Sequence, residues 1–102
     1  KEFPAFLIHQ QREKLAEALR TEFSTEKGKA IRLMIEALKA HKPKLITCGY
    51  GENKALFNAM ESYFNWNIGT YNSIFLYDYH SDRNQESLNG ASARIDHILE
   101  NL

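Results

Sequence analysis

The sequence predicts a mostly helical domain, and three observations lead to that class. Apolar residues recur every three or four positions in several segments, as they do on one face of an α-helix. Prolines and glycines fall between these segments, and the connections are too short for the crossovers of a parallel sheet. A chain of 102 residues has the size of one domain. We therefore expect a single all-α domain over 1–102, with about five helices.

The first two predicted helices cover about 4–23 and 25–41. Pro4 suits a first helical turn, where its missing N–H would have no partner anyway. Ser24 or Thr25 could cap the second helix. The expected buried positions of the first helix are Ile8, Leu15, Leu19 and Phe23, and those of the second are Ile31, Met34, Ile35 and Leu38.

The pattern of the next segment fits two kinds of secondary structure. Leu45 to Cys48 fits either a short strand or a helical turn. A third helix is predicted over about 52–64 and a fourth over about 70–79, with Thr70 as its N-cap. The short turn that ends at Gly69 makes this pair resemble a helix–turn–helix, so we place a helix–turn–helix-like core at 52–80.

The C-terminal part begins with a polar run, His80 to Gly90, which predicts a loop or the wing hairpin of a winged helix. A fifth helix is predicted over about 90–101, because apolar residues return there at helical spacing. The expected fold is therefore all-α with a helix–turn–helix or winged-helix core, and with a short β wing as an option.

Composition narrows the class of protein. There is no apolar run long enough to span a bilayer and no secretory signal peptide, so we expect a cytoplasmic protein with no membrane partner. The single cysteine, Cys48, excludes an internal disulfide framework and fits a reducing compartment. The chain begins with Lys1, which is compatible with a piece of a longer protein.

Catalytic and metal-binding patterns are weak. The four histidines lie in separate elements, and no paired ligands have the spacing of a zinc site. Asp78 and His80 could offer two ligands and Cys48 or His41 a third, although Cys48 fits a buried structural thiol better than a nucleophile. Gly49 and Gly51 lack the rest of a phosphate-loop fingerprint. We expect no enzyme activity, no cofactor and no metal.

Formal charge is zero overall but is divided along the chain. Residues 1–50 hold ten Lys and Arg against six Asp and Glu, a net +4, and residues 51–102 hold three against seven, a net −4. Such a division can orient a domain against a partner or a second copy. The alternative is two solvated faces that differ by chance.

The helix–turn–helix outline points to nucleic acid. In that motif the second helix enters the major groove, and the side chains near its start meet base edges. Asn can bond adenine, and Ser or Thr can bond a base edge or a phosphate. The residues expected to contact DNA from the fourth helix are Thr70, Asn72, Ser73 and Tyr77.

Phosphate contacts would have to come from elsewhere, because the predicted fourth helix has no Lys or Arg and acidic Asp78 and Asp82 lie at its end. If the basic cluster at 27–44 flanks this helix, it could hold the DNA backbone, whereas on the far side it could not. The candidate phosphate contacts are Lys54, Arg83, Lys27, Lys29, Arg32, Lys39, Lys42 and Lys44.

Aromatic residues support a second hypothesis. Nine of them crowd into the thirty residues that begin at Tyr50, and not all can be buried. Exposed Tyr and Trp are common anchors of protein interfaces. Trp66, Tyr77 and Tyr79 would then serve protein interaction or dimerisation on the same scaffold, without DNA. The helix 3–helix 4 pair could also be a plain core hairpin.

The C-terminal half resembles a known family. Its pattern is a helix that ends in Phe64-Asn65, then Asn67, Ile68 and Gly69, then an aromatic helix with Tyr71 and Phe75. Arg83 in the following loop and a last amphipathic helix, Ile95 to Leu102, complete it. These features resemble the C-terminal region of RteC-type proteins, which regulate excision of conjugative elements carrying tetracycline resistance. The segment EKGKAIRLMIEALKAHKP is also similar to related uncharacterised proteins.

The resemblance implies a winged-helix or helix–turn–helix domain that binds double-stranded DNA and acts in transcription or in a mobile element. This chain departs from the family in charge. Where the family's second helix and loop are rich in Arg and Lys, the stretch LYDYHSDRNQES has Arg83 alone. The resemblance therefore concerns the scaffold more than the phosphate contacts.

Overall fold

The computed structural model describes residues 1–76 and 82–102, apart from the side chains of 82–84. In these residues the chain forms one 3₁₀ turn, Phe3–Phe6, and five α-helices. The helices are α1 Arg12–Glu22, α2 Lys29–Ala40, α3 Asn53–Phe64, α4 Tyr71–Phe75 and α5 Asp82–Glu100. The prediction of a mostly helical chain is confirmed. None of the described helices is long and apolar enough to cross a membrane.

Helix α2 is the centre of the packing. It lies against both α5 and α4, while α1 packs on α5 and on the 3₁₀ turn. A helix that is apolar around most of its circumference belongs in the core. The buried residues of α2 are Ile31, Leu33, Met34, Ile35, Glu36, Ala37 and Leu38. The expected core stripe of the second helix is therefore confirmed.

The predicted helix over 4–23 is wrong between the 3₁₀ turn and α1. Leu7 pairs with Ile46 in one antiparallel bridge, with the N–H of Ile8 donating to the carbonyl of Leu45 at 2.8 Å. This extended stretch lets the buried Phe3 pack edge-on against Phe64, 5.1 Å between ring centroids. Long-range packing therefore overrides the helical period, and Ile8 is half exposed instead of buried.

The predicted start of the second helix is also wrong. Thr25 and Gly28 both have positive φ, 67° and 63°, so the chain turns twice before α2 begins at Lys29. Neither Ser24 nor Thr25 caps the helix, because the N-cap position is occupied by Gly28. Left-handed φ is the conformation glycine adopts without strain, which is why the helix begins after this residue.

Helix α3 matches its predicted range within one residue, and α4 begins where expected. The α3 positions predicted to be buried, Leu56, Met60 and Phe64, are buried. Helix α4 ends at Phe75, so the predicted helix is wrong at Leu76, which is the C-cap, and the remaining positions, 77–79, lie outside the described residues.

The loop or wing predicted over 80–90 is wrong from Asp82 onward, because α5 begins there. His80 and Ser81 lie outside the described residues. Four side chains at helical spacing face the core: Leu88, Ala91, Ile95 and Ile98. Gly90 lies within the helix at an exposed position, where it costs only about 1 kcal/mol relative to Ala. The 45–48 segment is extended and carries the isolated bridge to Leu7.

Arg94 joins α5 to the end of α1. Its Nε donates to Glu22 Oε1 at 2.9 Å, its Nη2 to the Glu22 carbonyl at 2.7 Å, and its Nη1 to Glu26 Oε1 at 3.2 Å. The guanidinium carbon also lies 4.0 Å from the centroid of the Phe23 ring. Hydrogen bonding to Glu26, and then to Glu22, raises the pKa of Arg94. Arg94 therefore remains charged and holds the turn between α1 and α2 against α5.

Gly69→Ala should destabilise the fold, whereas Gly90→Ala should stabilise it. At Gly69, φ is +105° and a Cβ would come within 3.0 Å of the Gly28 nitrogen. Backbone strain and overpacking together should cost about 3 kcal/mol of unfolding free energy. A Cβ at Gly90 meets nothing within 4 Å, so Ala there should add about 0.5–1 kcal/mol. Urea unfolding measures both changes, and equal stability of Gly69→Ala and wild type would contradict the close approach.

Arg94→Ala should lower the unfolding free energy by about 2 kcal/mol, because several charge-assisted hydrogen bonds are lost together. Arg94→Lys should restore less than half of this, since an ammonium cannot fork between two carboxylates. Arg12→Ala, at an exposed position at the start of α1, is the matched control and should change stability by less than about 0.5 kcal/mol. Full stability of Arg94→Lys in urea unfolding would mean that fork geometry does not matter here.

Candidate nucleic-acid interface

The start of α4 is fixed by a reciprocal cap, which confirms Thr70 as the N-cap. Thr70 Oγ1 accepts from the Ser73 N–H at 3.1 Å, and Ser73 Oγ accepts from the Thr70 N–H at 3.1 Å. Ser73 Oγ also donates to the Thr70 carbonyl at 2.9 Å. Such a cap satisfies amide groups that the first helical turn leaves without partners. Both hydroxyls are therefore engaged within the helix.

The α3–α4 connection holds α4 beside the start of α2. It covers six residues, Asn65 to Thr70, and begins with Asn65 in the left-handed conformation. The Gly28 N–H donates to the Ile68 carbonyl at 2.8 Å, and the two glycines, Gly28 and Gly69, lie backbone against backbone. The usual helix–turn–helix turn has three or four residues. The helix–turn–helix outline is accordingly not confirmed.

Two lysines lie next to the start of α4. Lys27 lines a shallow depression together with Thr70 and Ser73. The Lys54 ammonium, from the first turn of α3, lies 5.1 Å from the ring centroids of both Phe57 and Tyr71. One lysine thus lies on the Thr70 and Ser73 side of α4, and the other lies against the Tyr71 ring. We call the surface formed by Lys27, Lys54, Thr70, Asn72 and Ser73 the α4 surface.

Asn72 is the amide residue of the α4 surface. Its side chain is exposed on the first turn of α4, between the two capping residues. An exposed amide can donate and accept at the same time, which is the requirement for bidentate contact with adenine. Among the predicted base contacts in the described residues, it is the one outside the reciprocal cap.

Arg32 has a structural position instead of an exposed one. Its Nη1 donates to the Ile74 carbonyl at 2.9 Å, and its Nε donates to Glu36 Oε2 at 3.0 Å. The Arg32 side chain is only 14% exposed. Because one end of this contact is the α4 backbone, Arg32 ties α4 to α2.

The predicted basic cluster is divided between the two ends of α2. Lys29 is exposed at the start of α2, where it lines a groove against Gly90 and Arg94 of α5. Lys39 lies in the last turn, 3.7 Å from Glu36 Oε2, and Lys42 and Lys44 follow the helix. A 12-residue helix is roughly 16 Å long between its first and last Cα. The second group is therefore one helix length away from the first.

Three further predicted contacts cannot be placed. Tyr77 and Tyr79 lie outside the described residues, and so does the side chain of Arg83. The remaining aromatic candidate, Trp66, is half buried. Its ring stacks on Phe64 at 5.0 Å between centroids with a 9° interplanar angle, and its Nε1 donates to the Glu26 carbonyl at 2.7 Å. Trp66 thus serves the packing between the α3–α4 connection and the turn before α2.

Other chemistry has little support in the residues described. Among them, no group of three or more His, Cys, Asp or Glu side chains is arranged to hold a metal ion. Burial raises the pKa of the Cys48 thiol, although Lys39 acts in the opposite direction. A thiol with a raised pKa carries less thiolate at neutral pH and is a poorer nucleophile.

The fold and the site define a small, mostly helical domain that has lysines beside the start of a short helix. Comparison of the chain with protein-family models, curated protein sequences and solved structures finds no match.

Proposed function

We propose that this chain is a DNA-binding regulatory domain of a transcriptional or mobile-element regulator, and that it contacts duplex DNA through the α4 surface. One observation carries the proposal: Lys27 and Lys54 come from different elements and lie next to the start of the same short helix. Affinity for DNA depends mainly on such cations, because each phosphate contact releases condensed counterions. The flanking lysines supply the charge that α4 lacks.

Sequence preference in this proposal comes chiefly from Asn72. The Thr70 and Ser73 hydroxyls already bond within the cap, so they would have to exchange partners to reach a base edge. Asn72 has an exposed amide and can bond adenine without giving up a structural contact. Tyr77 and Arg83 remain in the proposal as contacts further along the chain, and Lys29 adds charge at the edge.

The regulatory role rests on the resemblance of 55–102 to the C-terminal region of RteC-type proteins. That family regulates conjugative elements, which requires a domain that recognises DNA. The departure in charge fits a domain whose phosphate contacts have moved from the recognition helix to neighbouring elements. Arg32, which anchors α4, acts as a positioning residue in this scheme.

A competing proposal is a protein-interaction or self-association domain on the same scaffold. One observation favours it: Leu76, at the end of α4, is 71% exposed, and Tyr77 and Tyr79 follow it in the sequence. Exposed apolar and aromatic side chains anchor protein interfaces. Sedimentation of the chain at high concentration distinguishes the two, because a monomer argues against self-association.

Lys54→Gln and Lys27→Gln should each weaken binding to every duplex alike and should each lower the salt slope by about one. Lys14→Gln removes the same charge from α1, in a groove against the end of α5, and should leave affinity unchanged. Fluorescence anisotropy with a labelled duplex at several salt concentrations measures both quantities. At about 50 mM salt, phosphate contacts contribute most to affinity. If wild-type protein does not bind duplex DNA there, the proposal is wrong.

Asn72→Ala should instead relax sequence preference. The test selects preferred duplexes from a random library with wild-type protein, then compares preferred and scrambled sites for both proteins. Loss of a bidentate contact should reduce discrimination by about 1–3 kcal/mol and leave the affinity for scrambled DNA nearly unchanged. A uniform loss on both duplexes would mean that Asn72 does not read bases. Circular dichroism melts check that the fold is retained.

A further inference from the structure

Helix α2 carries a buried carboxylate. Glu36 is the one charged or polar residue that is buried among the described residues, and its side chain is only 10% exposed. Its neighbours on the helix, Ile35 and Ala37, belong to the apolar core. Removing a carboxylate from water is costly, and the attraction to a partner repays that cost only when the geometry is good. A buried charge at this position therefore calls for a role besides stability.

Two cations on the same face of α2 contact this carboxylate. Arg32 lies one turn before Glu36, and its Nε donates to Glu36 Oε2 at 3.0 Å. Lys39 lies one turn after it, with Nζ 3.7 Å from the same oxygen. The Arg32 side chain is 14% exposed, whereas that of Lys39 is 35% exposed. Arg32 is therefore the closer and more deeply buried of these two partners.

The Arg32 guanidinium continues from Glu36 to α4. Its Nη1 donates to the carbonyl of Ile74 at 2.9 Å, and Ile74 is fully buried. A guanidinium is planar and holds its donors in a fixed fork, so an acceptor on Nε also fixes the direction in which Nη1 points. Glu36 therefore directs the hydrogen bond that ties the last turn of α4 to α2.

Helix α4 needs such support at its end more than at its start. The start is held by the reciprocal cap between Thr70 and Ser73. At the end, Leu76 is 71% exposed and adds little packing. A five-residue helix does not persist by itself, because helix formation is cooperative and its first turn is costly. The bond from Arg32 therefore limits fraying of the last turn, and Glu36 maintains that bond.

We propose that Glu36 is a positioning residue for α4 and acts through Arg32. The consequence for DNA rests on the proposed function. Asn72 lies two residues before Ile74 on the same short helix. A bidentate contact with a base requires the amide of Asn72 to be held in one orientation. By fixing the guanidinium, Glu36 keeps α4 in place and contributes to sequence preference from within the core.

Amide hydrogen exchange tests the positioning role without DNA. In Glu36→Gln, which keeps the shape of the side chain, the N–H groups of Ile74 and Leu76 should exchange about tenfold faster than in wild type, because the last turn of α4 opens more often. The His41 N–H at the end of α2 should keep its rate. Lys39→Gln is the matched control, since it removes the other cation beside Glu36 and should leave exchange in α4 unchanged.

Arg32 supplies a second check. If Glu36 acts through Arg32, then Arg32→Gln should accelerate the same α4 amides, and the double variant should accelerate them no further than Arg32→Gln alone. Additive effects of the two substitutions would overturn the proposal. Equal acceleration of every amide, that of His41 included, would do the same, because Glu36 would then only stabilise the fold. Glu36→Asp withdraws the charge by one methylene and gives the same comparison if Glu36→Gln does not fold.

Duplex binding separates this inference from the proposed function. Glu36→Gln should reduce the ratio of affinities for preferred and scrambled duplexes about threefold and leave affinity for scrambled DNA nearly unchanged. If wild type binds no duplex but the exchange pattern is observed, the proposed function is wrong and the positioning of α4 stands. If wild type and Glu36→Gln discriminate equally between the two duplexes, the consequence for sequence preference is overturned.

Discussion

The backbone contact between Gly28 and Gly69 is the constraint on which the arrangement of this domain depends. Each residue has positive φ, and the Gly28 N–H bonds the carbonyl next to Gly69. No side chain fits between the two strands of backbone, so the starts of α2 and α4 are held together. Arg32 then fixes the end of α4 on the same helix. A helix of only five residues is held by its neighbours, since isolated helices of that length do not persist.

Arginines and lysines have different roles in this chain. Arg20, Arg32 and Arg94 each bond a carboxylate and also donate to a backbone carbonyl of another element, which uses the planar fork of the guanidinium. The cations on the α4 surface, by contrast, are lysines. Among the described residues, four glutamates pair with these arginines: Glu17, Glu22, Glu26 and Glu36. The chain therefore has zero net charge and still carries lysines on the α4 surface. A phosphate within a Debye length would interact with these nearby lysines more than with the net charge.

Sequence patterns predicted the features that depend on interactions between residues close together in the chain. The range of α3, the cap at Thr70 and the buried stripe of α2 follow from helical periodicity and capping, which act within a few residues. The bridge from Leu7 to Ile46 and the bond from Arg32 to Ile74 span about forty residues, and no short-range pattern reports them. The early start of α5 did leave a signal in Leu88, one turn before Ala91 at the spacing of the core stripe, but the polar run around it outweighed that signal.

The predicted recognition helix carries no cation, which conflicts with binding to DNA. Under the proposed function, the packing of α4 against its neighbours resolves this conflict. A recognition helix without cations is a poor DNA ligand when considered alone, because phosphate contacts provide most of the affinity. A short helix held between α2 and α3 needs none of its own, since its neighbours supply Lys27 and Lys54. Affinity and sequence preference then reside on different elements. Substitutions on α4 would change which sequence is preferred, and substitutions on the flanking elements would change how tightly any sequence is held.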